Sequence, residues 1–211
     1  MTNPITLFAL LLLVSSNVIS QNIQIDSLHL ISNQREVWWD DLLRKTKTPA
    51  IEDTKNPIEI RLIRGTGFFN HGEFIFLSWD ENKFSCFKGH TYYSHSKIIK
   101  KRNLKIKHKK KFDIPSTDNF WNELIEHKLL TLPSQKSFNK KMIVETIDST
   151  GKKTISRHQI HDGPKYFLEI KIGDNLRFAQ FESPCIYSEL YPEIKELYNI
   201  CSIINILSSM E

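Results

Sequence analysis

The sequence predicts an α+β fold, an antiparallel β-sheet of hairpins packed by about three helices, forming a single domain after a signal peptide. Three observations predict it. Segments alternating with period two come in pairs joined by short turns such as Gly173-Asp174-Asn175. Between these groups lie stretches whose apolar residues recur at three- and four-residue steps, as on one face of a helix. The 211-residue chain is also long enough to bury a sizeable core as one domain.

The first twenty residues carry no charged side chain, and an unbroken apolar run extends from Leu7 to Val14. Val18 and Ser20 stand at the −3 and −1 positions of a signal-peptidase site, so residues 1–20 read as a cleavable secretory signal cut between Ser20 and Gln21. The apolar core, about ten residues, is roughly half of what a helix needs to cross a bilayer. No cysteine follows the cut and no second apolar run approaches membrane length. Residues 21–211 are therefore expected to be exported to the periplasm or the exterior as a soluble domain without a transmembrane segment.

A first helix is expected from Gln34 to Lys45, capped by Asn33 with Glu36 three residues on. Ile58, Ile60 and Leu62 alternate with Glu59, Arg61 and Ile63, the pattern of a half-buried strand. Phe74 to Trp79 is apolar on both faces and should be a central strand. Asp80-Glu81-Asn82 turns it into Lys83 to Phe87. Leu104, Ile106 and His108 then alternate with Lys105, Lys107 and Lys109, a strand with one solvated lysine face at a sheet edge. A second helix begins near Ser116, Thr117 or Asp118 and buries Phe120, Trp121, Leu124 and Ile125. Two hairpins follow, Met142 to Asp148 with Lys153 to Ile160, and Tyr166 to Ile172 with Leu176 to Glu182. The last helix runs from Glu189 or Pro192 to Leu207.

Charge is concentrated in one place. Lys97, Lys100, Lys101, Arg102, Lys105, Lys107, Lys109, Lys110 and Lys111 fall within fifteen residues that hold no acid, in a chain of net charge +5. Without those nine the remainder has four more acids than bases. Read as a strand, the segment places Lys105, Lys107, Lys109 and Lys111 on one face about 7 Å apart, a ladder able to meet a polyanion. The same lysines would also blunt a sheet edge against aggregation. An exported protein would meet an acidic polymer such as polysaccharide or extracellular nucleic acid, an anionic lipid headgroup, or an acidic protein.

Other chemistry finds little support. His158 and His161 are three apart, which on a strand points them to opposite faces, and no Cys/His spacing matches a metal site. Gly65-Thr66-Gly67 lacks the Lys-Ser/Thr of a phosphate cradle, and Asp148-Ser149-Thr150-Gly151 reads as a hairpin turn. No cofactor and no catalytic residue is expected. Three cysteines in an oxidising compartment leave at least one thiol unpaired. Cys185 and Cys201 are the nearest pair, but a helix starting between them makes a bridge awkward unless the chain folds back, so three small buried residues are expected.

Trp121 to Pro133, with its Trp-x-x-Leu helix ending in Leu-x-Leu-Pro, leads into a hairpin, Asp162-Gly163, an aromatic strand, Ser183-Pro184 and a terminal helix. This order resembles small uncharacterised exported proteins of the Bacteroidetes type over Phe120 to Leu207. The resemblance implies export and carries no activity or site residues. The function expected is a non-enzymatic binding or interaction module that engages an acidic partner through its basic strand. The alternative is a hydrolase of envelope or extracellular polymers, which a cleft gathering two or more of His71, His90, His158, His161 and Asp162 would favour.

Overall fold

The alternating segments become strands in the expected order. They are β1 (Ile58–Gly65), β2 (His71–Trp79), β3 (Phe84–His95), β4 (Arg102–Ile114), β5 (Val144–Ile147), β6 (Lys153–Ser156), β7 (Lys165–Ile172) and β8 (Asn175–Glu182). The helices are α1 (Val37–Thr46), α2 (Phe120–Glu126), α3 (Gln135–Phe138), α4 (Pro184–Leu190) and α5 (Lys195–Ser209). This computed structural model describes residues 37–65, 71–80, 83–95, 102–114 and 119–210, which lie within one compact unit, Arg35–Glu211. The expected signal segment, residues 1–20, lies outside the described residues.

Six strands form one antiparallel sheet in the order β4-β3-β2-β1-β7-β8, so β4 and β8 are its edges, while β5 and β6 pair only with each other. Cross-strand partners share a face, and the register therefore sorts the side chains. On the front face Leu62 stands between Ile75 and Leu168, and Ile60 between Leu77 and Ile170. Helices α2 and α5 cover this face. Phe84 packs against Phe120 and Trp121 at ring distances of 5.0 and 5.5 Å, and Lys88 donates to the carbonyl of Met210 just beyond α5. On the back face α1 buries Trp39, Leu42 and Leu43 against Ile63, Phe74, Phe76, Leu104 and Phe167. The Trp39 ring meets Phe167 edge-on at 5.9 Å. The molecule is thus α+β, with the sheet between helical layers.

Three expectations change. β1 was expected to be half-buried, but Glu59 and Arg61 are buried as fully as their apolar neighbours, because β2 and β7 flank the strand and helical segments cover both faces. The terminal helix, expected from Glu189 or Pro192, starts at Lys195, and a separate short helix, α4, precedes it. Pro192 lacks an amide hydrogen and disfavours helical geometry at the preceding residue, and Tyr191 accordingly takes φ −134°, ψ 66°. The chain doubles back there. That reversal brings Cys185 in α4 within 4.9 Å (Cα–Cα) of Cys201 in α5, and the two form a disulfide, contrary to the expectation of three unbridged residues. Cys86 remains a free, buried thiol.

The two hairpin turns keep their expected chemistry. Gly173 adopts φ 58° between β7 and β8, where a side chain would be strained. In the β5–β6 turn Asp148 accepts hydrogen bonds from the Thr150 hydroxyl, the Thr150 amide and the Lys152 amide. Those bonds hold its carboxyl below the usual carboxylate range. No helix among the described residues is long and apolar enough to cross a membrane.

Candidate anion-binding face

The basic segment is the sheet's edge strand. Lys97, Lys100 and Lys101 lie outside the described residues, and Arg102 is the first residue of β4. Lys105, Lys107, Lys109, Lys110 and Lys111 are all exposed. They do not form one ladder. The register with β3 shifts between Lys88 and His90, so that Lys110 faces Lys88 but Lys107 faces His90. One extra residue of β4 is accommodated there, and His108 takes φ 51°. The shift interrupts the alternation. Lys105, Lys107 and Lys110 stand on the front face, whereas Lys111 falls on the back with Leu104 and Ile106. Opposite the bulge, Gly89 leaves room for the Phe74 ring, which would lie 2.9 Å from an added Cβ. The expected 7 Å ladder of Lys105, Lys107, Lys109 and Lys111 is therefore broken: Lys105 and Lys107 share the front face with Lys110, Lys109 falls within the bulge, and Lys111 stands alone among them on the back.

The front-face lysines continue a row that period-two reading of single strands does not reveal. Tyr166, Arg64, Glu73, His90 and Lys107 are direct cross-strand partners, one from each of β7, β1, β2, β3 and β4. Arg64 Nη1 lies 3.3 Å from Glu73 Oε2, and His90 Nδ1 lies 3.6 Å from Glu73 Oε1. The Arg64 guanidinium sits 5.9 Å from the Tyr166 ring centre, and Lys107 Nζ sits 4.7 Å from that of Tyr92. Burial raises the pKa of the Tyr166 hydroxyl, and the Arg64 charge offsets part of that rise. Beyond Lys88, where the helical cover ends, the face is open: Arg64 and Glu73 are 40% exposed and His90 56%. His71, Tyr92 and Lys105 form the next row outward.

The back face treats charge differently. Arg61 is fully buried, with Nε 2.7 Å from Glu59 Oε1, Nη1 3.5 Å from Glu169 Oε2 and Nη2 donating to the Pro49 carbonyl at 2.9 Å. Asn56 donates to the other Glu59 oxygen, and Lys171, the cross-strand partner of Glu59, donates to Thr54. Arg61 is thus the shared cation of two buried carboxylates, which such burial requires. Beside them a cleft of about 560 Å³ opens between the α1–β1 connection and the sheet, with Lys47, Lys55, Glu59, Ser78 and Lys111 among its walls.

Of the five residues that a catalytic cleft would gather, none lines that cleft. His71 and His90 lie on the front face of adjacent strands. His158, His161 and Asp162 belong to the connection between β6 and β7, where the His158 ring packs 5.8 Å from Tyr191. Among the described residues no group of three or more His, Cys, Asp or Glu side chains could hold a metal ion. Sequence reasoning identified the lysines and missed their row partners Arg64 and Glu73. In the β1–β2 register Gly65 pairs with Gly72 and Arg64 with Glu73, a juxtaposition that neither strand shows by itself. No protein-family model, no curated protein and no solved structure matches this chain.

Proposed function

We propose that this protein is an exported binding module that docks an acidic partner on its lysine-rich edge strand. One observation carries the reading. Among the described residues no carboxylate lies within ion-pair distance of Lys105, Lys107, Lys109 or Lys110, whereas Lys83, Lys141, Lys153 and Lys165 each have one, at 2.6, 2.5, 2.7 and 3.6 Å. Other exposed lysines without one, such as Lys47, Lys128 and Lys195, are scattered over separate segments. At β4 four ammonium groups stay uncompensated on an edge, where their fields add and favour a polyanion. Export is supported by the disulfide, which forms and persists in oxidising compartments, together with the apolar run Leu7 to Val14.

The test is a pull-down from envelope extract at low and high salt, comparing the native chain with a variant carrying Lys105→Gln, Lys107→Gln and Lys109→Gln. Partners should be held at low salt, released at high salt and missing from the variant. The same partners on both proteins would remove the edge strand as the docking surface.

A further inference from the structure

We infer that the front-face row Arg64, Glu73, His90 and Lys107, with Tyr92 and Lys105 beside it, binds single-stranded nucleic acid. This rests on the acidic-partner reading and narrows the partner to one chemistry. The row crosses four strands, about 14 Å at the usual strand spacing, which suits an extended polymer better than a single ion. Its permanent cations stand at both ends, Arg64 on β1 and Lys107 with Lys105 on β4, so successive phosphates can be met along one line. Tyr92 supplies an aromatic ring in the same patch with an ammonium over it, pairing a stacking surface with a phosphate contact.

The carboxylate in the middle decides between ligands. On a membrane of anionic headgroups Glu73 would only repel. Against a nucleic acid it has a use, since a carboxylate accepts hydrogen bonds from an exocyclic base amino group or a ribose hydroxyl. Glu73 also holds Arg64 and His90 in position from either side, at 3.3 and 3.6 Å. Its contact to Arg64 is made through Nη1, and no contact among the described residues commits Nη2.

The experiment is fluorescence anisotropy of a labelled twelve-nucleotide single strand of mixed sequence with the full chain, at 50 to 200 mM salt. Phosphatidylglycerol vesicles and heparin serve as parallel probes. The single strand should bind. Arg64→Gln and Lys107→Gln should each weaken it at least five-fold and reduce the slope of log K against log salt by about 0.7, the contribution of one phosphate contact on a single strand. Lys111→Gln, on the opposite face, should stay within two-fold. Glu73→Gln should bind no tighter than the native chain, although it is less negatively charged. Unchanged unfolding temperatures would establish that the variants remain folded.

Tighter binding by Glu73→Gln would overturn the site, as would Arg64→Gln and Lys107→Gln within two-fold of the native affinity. Vesicle binding without oligonucleotide binding would overturn it too. In each of those cases, weaker heparin binding by the Lys105→Gln, Lys107→Gln, Lys109→Gln variant would leave the edge-strand reading standing. A chain that binds none of the three probes would end both.

Discussion

β1 and β4 carry nearly the same written pattern and use it for opposite ends. In β1, Ile58, Ile60 and Leu62 alternate with Glu59 and Arg61, and in β4, Leu104 and Ile106 alternate with Lys105 and Lys107. β1 has strands on both sides, and under the helical cover its charges Glu59 and Arg61 lie within the molecule and are matched there: Arg61 against Glu59 and Glu169, with Lys171 across from Glu59. β4 has a neighbour on one side only, and its lysines stand in water without a carboxylate in reach among the described residues. The difference teaches that alternation describes a strand and its place in the sheet decides what the charges do. Buried central charges must serve the fold, because an unpaired buried ion is expensive. Edge charges are free to serve a partner.

The largest expected effect breaks the β1 side of the comparison. Arg61→Met leaves Glu59 and Glu169 buried without their shared cation and should destabilise the fold by about 3–5 kcal/mol, read from the urea midpoint. A loss below 1 kcal/mol would mean that the cluster is not a structural requirement. Next comes the clip over the helical layer. Removing the disulfide with Cys185→Ser and Cys201→Ser opens a loop of 16 residues and should cost about 3 kcal/mol. Heparin binding by the folded variant should be unchanged, since the clip lies away from the edge strand.

Smaller still is the effect on stability of Lys105→Gln, Lys107→Gln and Lys109→Gln, expected to stay within about 0.5 kcal/mol because these side chains are solvated. A marked loss would mean that β4 lysines hold the sheet together, and the contrast with β1 would fail. The last prediction locates where burial ends along β3. Burial pushes the Cys86 thiol up to about 11, so up to pH 10 it stays a protonated thiol inside the fold. The neutral thiol's contribution to stability is therefore full below the thiol's unfolded value and is lost as pH rises toward 11. Iodoacetamide at pH 8 should modify no cysteine in the native chain, one after denaturation and three after reduction.

Much of this arrangement can be read in the sequence, and the limits have physical causes. Strand identities, the Gly173 turn and the interior position of Phe74 to Trp79 follow from periodicity and turn chemistry, which are local. The burial of Glu59 and Arg61 does not, because β7, which supplies Glu169, enters the sheet more than a hundred residues later. The Cys185–Cys201 bridge was hidden because the short helix α4, which carries Cys185 and folds back on α5 across Tyr191-Pro192, has no signature in the local pattern. For the candidate site, composition alone located the lysines. The β4 bulge, which sorts them onto two faces, depends on a single inserted residue that no local pattern marks, and the row from Tyr166 to Lys107 exists only once five strands are in register.

The most direct test of the contrast is the affinity of the folded chain for heparin across a salt series, with and without Lys105→Gln, Lys107→Gln and Lys109→Gln. The native chain should lose affinity steeply as salt rises, and the variant should bind at least ten-fold more weakly with a shallower slope. Equal affinity and equal slope in the two proteins would contradict the assignment of the β4 charges to a partner.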